Sequence, residues 1–365
     1  MVTRILKIDY HRNLMTSESN KKLNEKINNF NPNENGLRDH GIFGLPFLPE
    51  EAKLVLVPVP WEVTVSYLSG TSKGPEAILK ASQQIDLYDD FHREGWKEGI
   101  AMKDIPSPIF YKNKQIREMA EKYLFNYQNG KIDKKLQKEI NQECVNLNNH
   151  VKEETADLIK QGKQVGIVGG DHSVILGFIE VLAKKNKDFG ILQIDAHSDT
   201  RPNYEDLKFS HASIFYNILQ LKEVSKIVQV GVRDISHIEK EIINKGEFKN
   251  KISLFSDYEL KKSIFNGQSW SLKCDEIIKE LPDNVYISFD IDGLNPSLCP
   301  NTGTPVPGGF SLEEISFLLE KIVLSGKKII GFDLCEVSPG ENEWDGNVGA
   351  RALYKLCLAS LKSNS

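Results

Sequence analysis

From residue 54 onward, short and almost wholly apolar runs alternate with longer, helix-like stretches. Leu54–Val59 (LVLVPV) is the first such run, and Gln164–Val168, Gly190–Ile194, Lys226–Val230, Val285–Phe289 and Lys328–Phe332 repeat it. Runs of that length, rich in β-branched residues and apolar throughout, predict parallel strands covered on both faces. Glu139–Gln161, Ser173–Lys185, Leu312–Ser325 and Gly349–Leu361 predict helices. The alternation predicts an α/β fold of three layers, a largely parallel central sheet flanked by helices. Lys103–Lys135 fits the rhythm less well, and a helical insertion beside the sheet is the expectation there. Before residue 54 the pattern is absent: Ser17–Asn35 is polar and Asn/Lys-rich, and is followed by the turn-prone Asn35–Gly36 and the apolar Gly41–Phe47. Residues 1–48 therefore read as a partly helical extension, serving as a pocket lid or an oligomer contact, and residues 49–365 as one domain.

Composition narrows the function classes. With 40% hydrophobic and 27% charged residues the chain is of ordinary globular type. A net charge of −5 gives no basic footprint for nucleic acid. No stretch approaches the roughly 20 apolar residues that span a bilayer, and MVTRILKIDYHRN lacks the apolar core of a secretory signal. The five cysteines (Cys144, Cys274, Cys299, Cys335, Cys357) are odd in number, scattered and without a CxxC, which predicts buried thiols in a reducing cytoplasm.

The chemistry lies in where Asp and His fall. Gly169–Ser173 (GGDHS), Asp195–Asp199 (DAHSD) and Asp290/Asp292 (SFDIDGLNP) each follow the C-terminal end of a predicted strand, where open α/β sheets hold their ligands. Strand alternation puts i and i+2 on one side, so Asp195 can converge with His197 and Asp290 with Asp292. Taken singly, each cluster has a plain structural account: a glycine turn with helix-capping Asp171 and Ser173, a polar loop, a solvated strand end. Taken together, four carboxylates and two imidazoles in one dry site would repel strongly unless cations balance them. One divalent ion leaves excess negative charge and two nearly cancel it, so a dimetal site is expected.

GGDHS, DAHSD and SFDIDGLNPSLCPNTGTPVPGG together resemble the ureohydrolase family of arginases and agmatinases, from about Leu54 to Leu361. The resemblance implies an arginase-like fold and hydrolysis of a guanidino C–N bond with release of urea. It implies one metal on His172, Asp195, Asp199 and Asp290, and the other on Asp195, His197, Asp290 and Asp292. It further implies a metal-activated water as nucleophile, oriented by Asp199. His211 matches the proton-shuttling histidine, and Glu336 (GFDLCEVSP) the carboxylate that binds the substrate guanidinium through paired hydrogen bonds.

The chain also departs from the common pattern. Asn295 replaces the usual Asp before Pro, and Arg201 stands where arginases carry an asparagine that reads the amino-acid end of the substrate. ENEWDGNVGARALYKLC after Glu336 and the long extension are unlike typical arginases or agmatinases; with VPWEVTVSYLSGTSKGPEAI they look most like the nickel-dependent guanidine hydrolase branch. On that resemblance the substrate is guanidinium, the cofactors are two divalent ions (Ni²⁺ or Mn²⁺), and Thr71, Trp61, Trp344 and Phe43–Phe47 are candidates for substrate contact or a lid. Agmatine, arginine or a guanidino acid is the alternative substrate, with Arg201 available to a carboxylate. A metal-dependent binder without turnover is a further alternative, disfavoured because His211 and Glu336 are both present. The single-zinc deacetylases sharing this fold have fewer carboxylates. The family also implies a homo-oligomer, hexamer or trimer, in the cytoplasm.

Overall fold

The computed structural model describes residues 23–34 and 41–365. Most of the 1–48 extension, including its Asn35–Gly36 turn, lies outside the described residues. What is described of it begins with α1 (residues 23–29). The chain then runs β1 (Leu54–Val59), α2 (Gly74–Ser82), β2 (Ile100–Met102), α3 (Ser107–Gln128), α4 (Lys134–Lys160), β3 (Gln164–Gly169), α5 (Leu176–Lys185) and β4 (Phe189–Ile194). It continues with α6 (Ile214–Leu219), β5 (Val224–Val230), α7 (His237–Asn244), β6 (Ile252–Phe255), α8 (Asp257–Phe265) and α9 (Trp270–Lys279). β7 (Asn284–Asp290), α10 (Leu312–Leu324), β8 (Lys328–Cys335) and α11 (Trp344–Ser363) complete it.

The strands form one sheet in the order β2-β1-β3-β8-β7-β4-β5-β6, and every pairing is parallel. β1 is buried along its whole length, as expected of a strand roofed on both sides. On one side α2, α11, α10 and α9 pack in succession, and on the other α3, α4, α5 and α6. This is the three-layer α/β architecture read from the sequence. β7 and β8 return to the middle of the sheet, between β3 and β4. That reversal of order opens a crevice at the C-terminal ends of the four central strands.

The predicted strands are all present, within two residues at their starts and up to three at their ends. β2 (IAM) and β6 (ISLF), the two edge strands, are too short for the apolar pattern to have marked them. Lys103–Lys135 is largely the helix α3, packed on α4. α11 starts at Trp344, one turn earlier than the periodicity predicts, because Gly346 and Gly349 weaken the local signal. Gly346 is needed there: a Cβ would stand 2.9 Å from the Ala77 carbonyl oxygen where α11 crosses α2. The Gly41–Phe47 segment tucks into the core, with the Phe43 ring edge-on to Tyr354 and its N–H donating to Ser82 Oγ at 2.9 Å.

Candidate metal centre and its pocket

Four neighbouring strands deliver the site. His172 follows β3, Asp195–Asp199 follow β4, Asp290 ends β7 with Asp292 just beyond, and Glu336 follows β8. At β3, the Gly170 backbone runs so close to Trp61 that a Cβ would sit 1.9 Å from its carbonyl oxygen. Asp171 then caps the next turn, accepting from Ser173 N at 3.0 Å, and His172 is carried into the crevice fully buried. The capping account of GGDHS and its place in the site are both true.

Asp195 converges with His197, and Asp290 with Asp292, but not by strand alternation. β4 stops at Ile194, and Asp195 Oδ1 accepts from His197 N at 2.6 Å. Likewise Asp290 Oδ1 accepts from Asp292 N at 2.9 Å, opening a single 3₁₀ turn (Ile291–Gly293). In both places a carboxylate bonded to the backbone two residues on folds the chain back, the local habit of Asp.

His172 Nδ1 lies 3.2 Å from Asp195 Oδ2, 3.3 Å from Asp199 Oδ2 and 3.4 Å from Asp290 Oδ2. His197 Nδ1 lies 2.9 Å from Asp292 Oδ2 and 3.7 Å from Asp195 Oδ1. Two groups thus have ligand atoms spaced for an ion, His172/Asp195/Asp199 and Asp195/His197/Asp292, and Asp195 belongs to both. The donor set fits divalent metal: His172 Nδ1 is buried with no hydrogen-bond partner, while its Nε2 meets Ser288 Oγ at 2.9 Å. Carboxylate oxygens and imidazole nitrogens suit Mn²⁺ and Ni²⁺ alike.

The charge balance agrees. Burial and the Asp195 carboxylate push Asp199 up to about 7. Burial, Asp292 and Asp195 push Asp290 well above the ordinary carboxylate range. Asp195 is held below that range, because His172 and His197 outweigh its burial. So many acids crowded together are uneasy without cations.

Glu336 is buried, its Oε1 accepts from His172 N at 2.8 Å, and its backbone φ is 64°. Asp199 also has positive φ, 54°. His211 Nδ1 is 3.3 Å from Ser210 Oγ, and the His211 backbone N–H donates to Thr64 Oγ1 at 3.2 Å. Burial and the neighbouring His197 and His172 push the His211 imidazole down to about 3.

A cavity of about 150 Å³ joins these groups: His197, Asp199, His211, Asp290 and Glu336 line it. Ser66, Arg201, Tyr204, Asp234, Glu239 and Thr304 line the remainder. The Arg201 guanidinium lies 5.0 Å over the Tyr204 ring, and its Nε is 3.6 Å from Glu239 Oε2. Of these residues the sequence marked only Arg201; Glu239 opens α7 and the others sit in loops, with no spacing rule to announce them.

Three expected substrate contacts sit elsewhere, because their side chains are engaged in other packing. Trp61 is in the core, and its carbonyl accepts from Asp171 N at 2.8 Å. Thr71 is fully buried, with Oγ1 3.4 Å from Glu62 Oε2. Trp344 is half-exposed and donates Nε1–H to Ser297 O at 3.0 Å. Phe43–Phe47 also lies outside the cavity wall. No helix among the described residues is long and apolar enough to cross a membrane.

Comparison with known proteins gives a consistent picture. A model of the arginase family matches residues 52–359. An N(1)-aminopropylagmatine ureohydrolase of Thermus thermophilus is 31% identical over 299 residues, spanning 82% of this chain and 87% of the relative. An agmatinase of Proteus mirabilis is 28% identical over 88% of this chain and 92% of its own length. The crystal structure of the agmatine ureohydrolase of Thermoplasma volcanium superposes with a TM-score of 0.67 at 23% identity, covering 93% of this chain and 98% of that one.

Proposed function

The chain belongs to the arginase family of metal-dependent ureohydrolases, and from that premise we propose that it hydrolyses free guanidinium to urea and ammonia. The observation that carries the choice of substrate is a cation on the cavity wall. Arg201 stands there, stacked on Tyr204 and paired with Glu239. A cation on that wall penalises a substrate with an additional ammonium tail more than a singly charged one.

His172, Asp195, Asp199 and Asp290 would hold one divalent ion, and Asp195, His197, Asp290 and Asp292 the other. When bound, the ions supply a water deprotonated near neutral pH. Asp199 orients that water by hydrogen bonding. The Glu336 carboxylate accepts two N–H groups of the planar cation, fixing its carbon in the crevice. His211, neutral at rest and lining the cavity, would take up a proton released in the reaction and relay it to the leaving nitrogen as the C–N bond breaks. Residues 49–365 would form this catalytic domain and residues 1–48 an extension to it, in keeping with the family match from residue 52.

Agmatine-like substrates are favoured by a different observation. Asp234 lies at the cavity wall with an exposed carboxylate that can receive a distal ammonium, and the relatives named above carry such substrates in their names. The test is urea release by protein loaded separately with Mn²⁺ or Ni²⁺, against guanidine, agmatine, arginine and 4-guanidinobutyrate. Turnover of guanidine alone supports the proposal. Preference for agmatine assigns Asp234 to tail recognition, and no urea from any of them, with metal bound, overturns it.

A further inference from the structure

The two irregular walls of the cavity are held from outside by helices, one by α3 and α4 together and the other by α3. Ser66 comes from the loop after β1, while Arg201, Tyr204 and His211 come from the loop after β4. The second loop contains a tight reversal, with Tyr204 N donating to Leu207 O at 3.1 Å and Leu207 N to Tyr204 O at 2.9 Å. Its two central residues, Glu205 and Asp206, have φ of 51° and 61°. Two-residue turns of this hand normally carry Asn or Gly at those places, so Glu-Asp does not favour the turn by itself.

α3 and α4 supply what the turn lacks. Tyr123 OH donates to Glu205 O at 3.0 Å, and Gln137 Nε2 donates to Asp206 O at 2.7 Å. Asn141 Oδ1 accepts from Lys208 N at 2.9 Å. α3 by itself also grips the loop after β1: Asn113 Oδ1 accepts from Glu62 N at 2.7 Å, and Arg117 Nη1 donates to the carbonyls of Val63 (3.3 Å) and Val65.

We propose that the α3–α4 hairpin sets the aperture of the substrate cavity, with Tyr123 and Gln137 as positioning residues for the Tyr204–Leu207 turn and, through it, for Arg201 and Tyr204. Neither residue lines the cavity, so both act through the turn. Taking this cavity as the substrate site rests on the function proposed above; the clamp itself does not.

The test uses the metal-loaded full chain as Tyr123→Phe, Gln137→Leu and the double variant, with Tyr127→Phe on the same helix as control. Hydrogen exchange at the Tyr204, Leu207 and Lys208 amides should accelerate at least tenfold in the double variant and remain at the wild-type rate in the control. Exchange within α3 and α4 should stay the same. For whichever guanidino compound is turned over, KM should rise at least fivefold while kcat stays within twofold and metal content is unchanged. Unaltered exchange in the turn overturns the clamp, whatever the substrate proves to be. Faster exchange with unmoved KM overturns its role in substrate positioning. Should the double variant not fold, Tyr123→Phe, which removes one hydroxyl, decides by the same exchange measurement.

Discussion

Glu336 and Asp199 each hold a side chain with Cβ on backbone of the left-handed region. Such a residue costs about 1–3 kcal/mol and persists only where its surroundings dictate it. For Glu336 they do: its N–H donates to Gly170 O at 2.8 Å, and its carbonyl accepts from Thr302 Oγ1 at 2.9 Å. If Glu336 receives the guanidinium, Glu336→Gln removes a charge-assisted pairing of about 1.5–3 kcal/mol, so kcat/KM should drop roughly 10- to 100-fold. Steady-state urea release checks this. Asp290→Ala should lower metal content and bring urea release to background; a fully metallated, active Asp290→Ala protein would refute the proposed ligand set. His211→Ala should slow turnover by about 10²- to 10⁴-fold with both metals retained, and metal analysis alongside kinetics separates a proton carrier from a ligand.

At the scale of elements, legibility followed the length and purity of the pattern. β1 was readable to the residue because six consecutive buried positions are apolar. β2 and β6, of three and four residues, gave too short a run. The strand ends were legible as places where Asp and His collect, yet the geometry there was not. The turns at Asp195–His197 and Asp290–Asp292 depend on side chain to backbone bonds, which a strand template does not contain. Trp61 and Thr71, named as substrate-contact candidates, are as apt for a core as for a pocket, and both lie buried outside the cavity lining. The β3 end offers a sharp test. Gly170→Ala forces a methyl against Trp61 O, 1.9 Å from the unrelaxed Cβ position. Overpacking of this kind costs about 1–3 kcal/mol, and it should also shift His172. Denaturation midpoint and metal affinity should fall together, whereas Ser311→Ala, which breaks the α10 cap far along the chain, should cost about 1 kcal/mol and leave metal binding intact.

For the whole molecule, ion pairs that join distant segments tie stability to pH. Burial raises the Asp89 carboxylate, but Lys355 of α11 and two backbone N–H groups outweigh this and hold it below its ordinary value. Glu98 is likewise held down, with Lys53 and His92 outweighing burial. Folded values below the unfolded ones, about 4 for carboxylates, mean that these contacts stabilise fully above about pH 4. They are lost as pH falls through the folded values. Metal-free protein should therefore show a urea midpoint that drops below pH 4, and Asp89→Asn should flatten part of that drop. Measuring the apoprotein keeps loss of the ions from mimicking the effect.

The strand order also governs how the chain is made. Synthesis delivers β3 and β4 well before the two strands that lie between them, which follow β5 and β6 along the chain. Until then the nascent chain carries two open sheet edges facing a gap, a state in which strands invite unwanted pairing. Asp290 and Asp292 arrive with the same late segments, so the proposed pair of ion sites would be completed only as the sheet closes around it.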